Sequence, residues 1–141
     1  MSKPAFEHTS RLTHDGVLRM LSAGVAKADE IGQPQCIVIV DASGELLGEI
    51  RMTGAKFLSR KTAAAKAMTS ASHGIASAEI PESVATYVGL ASGGHVTHLP
   101  GGLPVLKDGR CLGGIGVGSG APDQDLAVAR AALSAIDAEP Q

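Results

Sequence analysis

Two apolar runs, Leu103-Pro-Val-Leu106 and Cys111 to Val117, are joined by Lys107-Asp-Gly-Arg110. An Asp-Gly pair between such runs is a tight-turn signal, so this segment reads as a β-hairpin. A second hairpin lies upstream. Cys36-Ile-Val-Ile-Val40 is a short, β-branched apolar run, Asp41-Ala-Ser-Gly44 is a turn, and Glu45 to Met52 returns as the partner strand. Two hairpins commit the chain to an antiparallel sheet.

Helical periodicity fills the intervals. Thr13 is placed to cap a helix ending near Ile31, with Val17, Leu18, Leu21, Val25, Ala28 and Ile31 on one stripe. Gly32 and Pro34 stop it. Ser59 is read as the cap of a second helix reaching Ser72, with a face of Ala63, Ala64, Ala67, Met68 and Ala71. Arg60, Lys61 and Lys66 are read as projecting from its flanks. Pro122, followed by Asp123 and Asp125 in the first turn, opens a terminal helix. Pro81 to Val88 allows one further short helix, and one more short strand is expected before Gly101. The expected fold is α/β in the α+β sense: a central antiparallel sheet of about five strands flanked by helices, in the order α-ββ-α-(β)ββ-α. Residues 1–12 read as an N-terminal arm and residues 13–141 as one domain.

Only three residues are aromatic, Phe6, Phe57 and Tyr87, against 18 glycines. A core built this way depends on close backbone approach rather than on large rings. With a net charge of -2 there is no cationic excess, and almost nothing stacks on bases, which argues against nucleic acid. No segment approaches the roughly 18 consecutive apolar residues of a membrane span. The polar N-terminus does not read as a secretory signal. Cys36 and Cys111 lack metal-ligand spacing. The expectation is a soluble, cytoplasmic chain with both thiols reduced.

Chemistry-bearing residues are few. Gly116-Val-Gly-Ser-Gly120 lacks both the dinucleotide fingerprint and the Lys-Ser/Thr of a phosphate loop. Asp123 and Asp125 also hold the helix start that an anion would need. This segment is read as a tight strand-to-helix joint. His95-Val-Thr-His98 can serve as a metal pair only if its loop turns both imidazoles to one point, with His73 or a carboxylate as third ligand. Arg51 and Lys66 are candidate carboxylate binders, and Gly101 and Gly102 would let backbone amides approach a ligand. The ordinary alternatives are solvated lysines and exposed loop histidines.

Taken in order, Ile37-Val-Ile-Val-Asp-Ala-Ser-Gly44, Arg51-Met-Thr-Gly-Ala55, Lys66-Ala-Met-Thr-Ser-Ala71, Pro100-Gly-Gly-Leu-Pro104, Gly113-Gly-Ile-Gly-Val-Gly-Ser-Gly120 and Pro122-Asp-Gln-Asp125 resemble the GlcG/HbpS-like family. The likeness runs from about Leu12 to the C-terminus. It departs at Thr53, where Asp is common, and at His73, where an aromatic often precedes the glycine. The resemblance implies a helix-flanked antiparallel sheet assembled as a homo-oligomer, often an octamer. It also implies binding of haem, a corrinoid-related ligand or another small molecule, in genes that often neighbour catabolic ones. Under this reading His95 or His98 would be the axial or metal ligand, beside Arg51, Lys66, Gly101 and Gly102. The competing reading is a cofactor-independent isomerase, tautomerase or lyase of a small organic acid. There Lys66 or Arg51 would hold the carboxylate and His98 or His95 would move the proton. Both readings place an anion-accepting recess beside the twin glycines.

Overall fold

A computed structural model describes residues 2–141; Met1 lies outside the described residues. In chain order the elements are α1 (His14–Glu30), β1 (Cys36–Asp41), β2 (Leu46–Arg51) and α2 (Ser59–His73). A 3-10 turn (Ser77–Glu79), α3 (Glu82–Ala91), β3 (Gly102–Lys107), β4 (Arg110–Gly118) and α4 (Pro122–Ser134) follow. The four strands form one antiparallel sheet in the order β2-β1-β4-β3. Both expected hairpins are present. Asp108 and Gly109 have φ of +51° and +73°, the left-handed pair that a two-residue hairpin turn demands. Asp41 closes the other turn, its Oδ1 accepting from the Ser43 and Glu45 amides at 2.8 and 3.0 Å.

Thr13 caps α1 as its position suggests, its hydroxyl accepting from the Gly16 amide at 3.1 Å. Two expectations about the elements are corrected by the structure. The sheet has four strands rather than five. Where the extra strand was expected, residues 95–100 bond to side chains instead of to a neighbouring strand. The Thr97 amide donates to Thr69 Oγ1 at 3.0 Å, and Ser77 Oγ donates to the Leu99 carbonyl at 2.6 Å. Ser59 is the first residue of α2 and not its cap. The chain is already turning at Lys56, whose carbonyl accepts from the Ser59 amide at 3.0 Å, so Leu58 takes the cap position with helical dihedrals.

The sheet separates two layers of unequal depth. On one face Ile37, Ile39, Leu103, Val105, Ile115 and Val117 pack against Val17 and Met20 of α1 and Val128, Ala129, Ala132 and Leu133 of α4. On the other face Cys36, Val38 and Val40 meet Ala63, Ala67 and Ala71 of α2. Side chains alternate across a strand, so β4 sends Ile115 and Val117 to the first face and Gly114, Gly116 and Gly118 to the second. A methyl on Gly116 would run into the Ala63 carbonyl, and one on Gly114 into the Ala67 carbonyl. Here α2 rests its backbone directly on the backbone of β4. The alternating glycines and the alanines spaced four apart are one packing device written in two places.

Candidate functional site

That close approach decides where Lys66 goes. It lies on the stripe of α2 defined by Ala63, Ala67 and Ser70, the i, i+3, i+4, i+7 set that faces the sheet. It is therefore 5% exposed and does not project from a solvated flank. Its Nζ donates to the Val117 carbonyl at 2.8 Å and to Asp125 Oδ2 at 3.3 Å. Asp125, 3% exposed, receives the Gly120 amide on its other oxygen at 3.1 Å. Burial pushes the Asp125 carboxyl above the usual carboxylate range, opposed by the Lys66 ammonium and the Gly120 N–H. The ion pair thus ties α2 to the start of α4 across the end of β4. The bonded Gly120 amide also shows how the glycine-rich joint spends a donor that a phosphate would need.

Gly101 and Gly102 close over this junction. Gly101 has φ of +121°, and a Cβ there would sit 2.5 Å from the Val117 oxygen and 3.0 Å from Lys66 Nζ. The Gly102 amide donates to Ser77 Oγ at 2.9 Å. Lys66, Gly101 and Gly102 do come together, but the recess expected beside them is filled within the protomer by Asp125, Val117 and Ser77. Arg51 ends β2 at the same end of the sheet, on the opposite edge strand from Gly102. Three strand spacings, about 14 Å, separate the two edges. Arg51 is exposed, near Cys36, whose thiol is pushed up by burial against the pull of Arg51 and Arg60.

The two histidines differ in setting. His95 is exposed and lines an open cleft of about 450 Å³ with Met68, Ala71, Ser72 and the Ala42–Glu45 turn. His98, half-buried, is not among the residues of that cleft. Thr69 holds the segment by accepting the Thr97 amide, with the His95 carbonyl 3.3 Å from its hydroxyl. His73 Nδ1 lies 3.0 Å from the Thr69 carbonyl. Among the described residues no group of three His, Cys, Asp or Glu side chains is arranged to hold a metal ion.

Sequence reasoning missed Asp125, Thr69, Ser77 and Met68 as parts of this region. A signal existed for Asp125: Lys66 falls at sheet-facing spacing, and a buried lysine requires a carboxylate. Thr69 and Ser77 gave none, since their partners are backbone groups far along the chain.

The family described as haem degrading protein, HbpS-like, matches residues 12–134. The chain belongs to the HbpS-like family. It is 32% identical over 136 residues to the corrinoid adenosyltransferase PduO of Citrobacter freundii, covering 93% of this chain but 41% of that enzyme. The chain thus spans about two fifths of that relative's length. Klebsiella pneumoniae protein ORFY has a solved structure that superposes with a TM-score of 0.91 at 25% identity, over 97% of this chain and 98% of that one. The PduOC:haem complex superposes with a TM-score of 0.86 at 27% identity, over 94% and 99%. This HbpS-like chain thus shares both sheet and helix arrangement with a relative whose structure contains haem. No helix among its described residues is long and apolar enough to cross a membrane.

Proposed function

We propose that this HbpS-like protein binds a small molecule of the tetrapyrrole class, haem foremost, in the cleft that His95 lines. The observation that carries this reading is that the exposed His95 and the half-buried Met68 line one cleft of about 450 Å³. Imidazole and thioether are two of the side-chain types that hold haem iron. Ala71 and Ala42 supply small apolar wall beside them. No Lys or Arg lines the cleft, so the carboxylates of a tetrapyrrole would stay in water or meet a neighbouring subunit. Bound haem would supply an iron centre for ligand or electron chemistry. The protein's part is to present His95 and to hold its loop through Thr69 and Ser92, which accept the Thr97 and Val96 amides.

The test is haem titration of the purified protein followed by its Soret band. Replacing His95 with Ala should weaken binding at least about tenfold, or 1.4 kcal/mol, and alter the band. His98→Ala should leave both near wild type. A His95→Ala protein with unchanged band and affinity refutes the assignment. The organic-acid isomerase alternative draws less support, because the Lys66 charge is already engaged by Asp125.

We also infer that the protein assembles with copies of itself. Tyr87 and Leu90 on α3 are 75% and 77% exposed, and α3 makes no substantial contact with any other helix or strand. The edge strand β2 likewise leaves Leu46, Leu47 and Ile50 uncovered. Apolar surface on a free helix and a bare sheet edge are features that oligomers bury. Light scattering after gel filtration should give a mass that is a multiple of the 14.2 kDa chain. Tyr87→Glu with Leu90→Glu should reduce it; a monomeric wild-type protein would contradict the inference.

A further inference from the structure

On the other face of the sheet, away from the His95 cleft, a recess of about 260 Å³ lies between the end of the N-terminal arm, the first turn of α1 and the C-terminal segment. Its floor is aliphatic: Val105 and Leu112 are buried there and Ile136 lies beside them. Its exposed cations are Arg11, Arg19 and Lys107. Among the described residues none of the three has a carboxylate within 4.0 Å. Lys107 Nζ donates to the Asp137 main-chain carbonyl at 3.3 Å, and no Asp or Glu lines the recess.

We propose that this recess binds a small aliphatic carboxylate, its tail on Val105, Leu112 and Ile136 and its charge among Arg11, Arg19 and Lys107. Each part of that assignment has a physical reason. Unpaired cations gathered around one apolar floor, in a chain whose net charge is -2, make a local positive field that attracts an anion. Arginine presents a planar fork that matches a carboxylate. The floor selects against a bare inorganic anion, which would gain nothing from aliphatic contact. No aromatic side chain lines the recess, so a nucleotide base would find no stacking partner. The volume lies below the roughly 300 Å³ at which drug-sized pockets begin, which limits the tail to a few methylenes.

Hexanoate is a suitable probe, titrated into the full chain carrying ¹³C-labelled methyl groups. It should shift the methyl resonances of Val105, Leu112 and Ile136 with a Kd of about 1 mM. Hexanol, which keeps the tail and lacks the charge, should bind at least about tenfold more weakly. Acetate, which keeps the charge and lacks the tail, should leave those methyls unmoved at the same concentration. Arg11→Gln combined with Arg19→Gln should cost at least about tenfold in hexanoate affinity, with the dispersion of the spectrum reporting that the fold is kept. Both side chains are exposed, so the variant does not disturb the core. The proposal is overturned if hexanoate moves no methyl in the recess, if hexanol binds as tightly, or if the double variant binds hexanoate as well as wild type. None of these results bears on haem binding at His95, which lies across the sheet.

Discussion

Gly116→Ala should cost about 3 kcal/mol or more of stability, read as a fall in denaturant midpoint with unchanged m. Over a chain of this size that corresponds to a Tm lower by roughly 10 °C. The added methyl has nowhere to go. It would meet the Ala63 carbonyl and lie 2.6 Å from the Ala67 amide nitrogen, both main-chain atoms of α2 that no rotamer change can move. Relief requires lifting α2 from the sheet, which loosens Ala63 and Ala67 from Val38 and withdraws Lys66 from Asp125. Gly16→Ala is the matching control. There the nearest atom to the new methyl is Thr13 Oγ1 at 3.5 Å, an ordinary contact within a helix, so the change should be neutral or stabilising by up to about 1 kcal/mol. Equal losses at the two sites would mean that close helix-sheet approach is not what Gly116 provides.

Lys66→Met should be comparably damaging at neutral pH, by about 3–5 kcal/mol, since it leaves the Asp125 carboxylate buried without its cation. The penalty should shrink in acid. Burial already holds the Asp125 carboxyl above its usual range, and loss of the ammonium, which pulls it down, raises it further. A group whose folded pKa is raised contributes stability that is complete below its unfolded value, near 3.9, and is lost as pH rises through the folded value. The variant should therefore recover stability relative to wild type as pH falls toward the ordinary carboxylate range. Lys66→Met with Asp125→Leu should regain most of the loss at pH 7. A remainder of about 1–3 kcal/mol should persist for the Gly120 amide left without an acceptor and the Val117 carbonyl left without the Lys66 donor. A penalty that does not depend on pH, or a double variant as weak as the single one, would show that Lys66 acts only by filling space.

These two experiments probe the same joint from its backbone and its charge. Lys66, Gly101 and Gly102 hold the protein together, whereas His95 stands at an open cleft, and Arg11, Arg19 and Lys107 at an open recess. The alternating glycines of β4 and the Lys66–Asp125 pair hold the packing of α2 on the sheet.

Elements whose cause is local were legible without coordinates. The Asp108-Gly109 turn, the Thr13 cap, the Gly32 stop and the Pro122 start each depend on dihedrals or donors within a few residues, and each is where its residue type placed it. The pairing within each hairpin followed from the same signals. What depended on distance was not legible. The spacing of Lys66 with Ala63 and Ala67 hints that it faces inward, but which carboxylate meets it is settled only when β4 brings bare glycine backbone beneath it and Asp125, 59 positions later, alongside. The stretch before Gly101 looks like a fifth strand until Thr69 and Ser77 take its hydrogen bonds. Local stereochemistry is encoded one short segment at a time. The burial of a charge is decided by which backbone lies across from it, and the tertiary fold alone determines that.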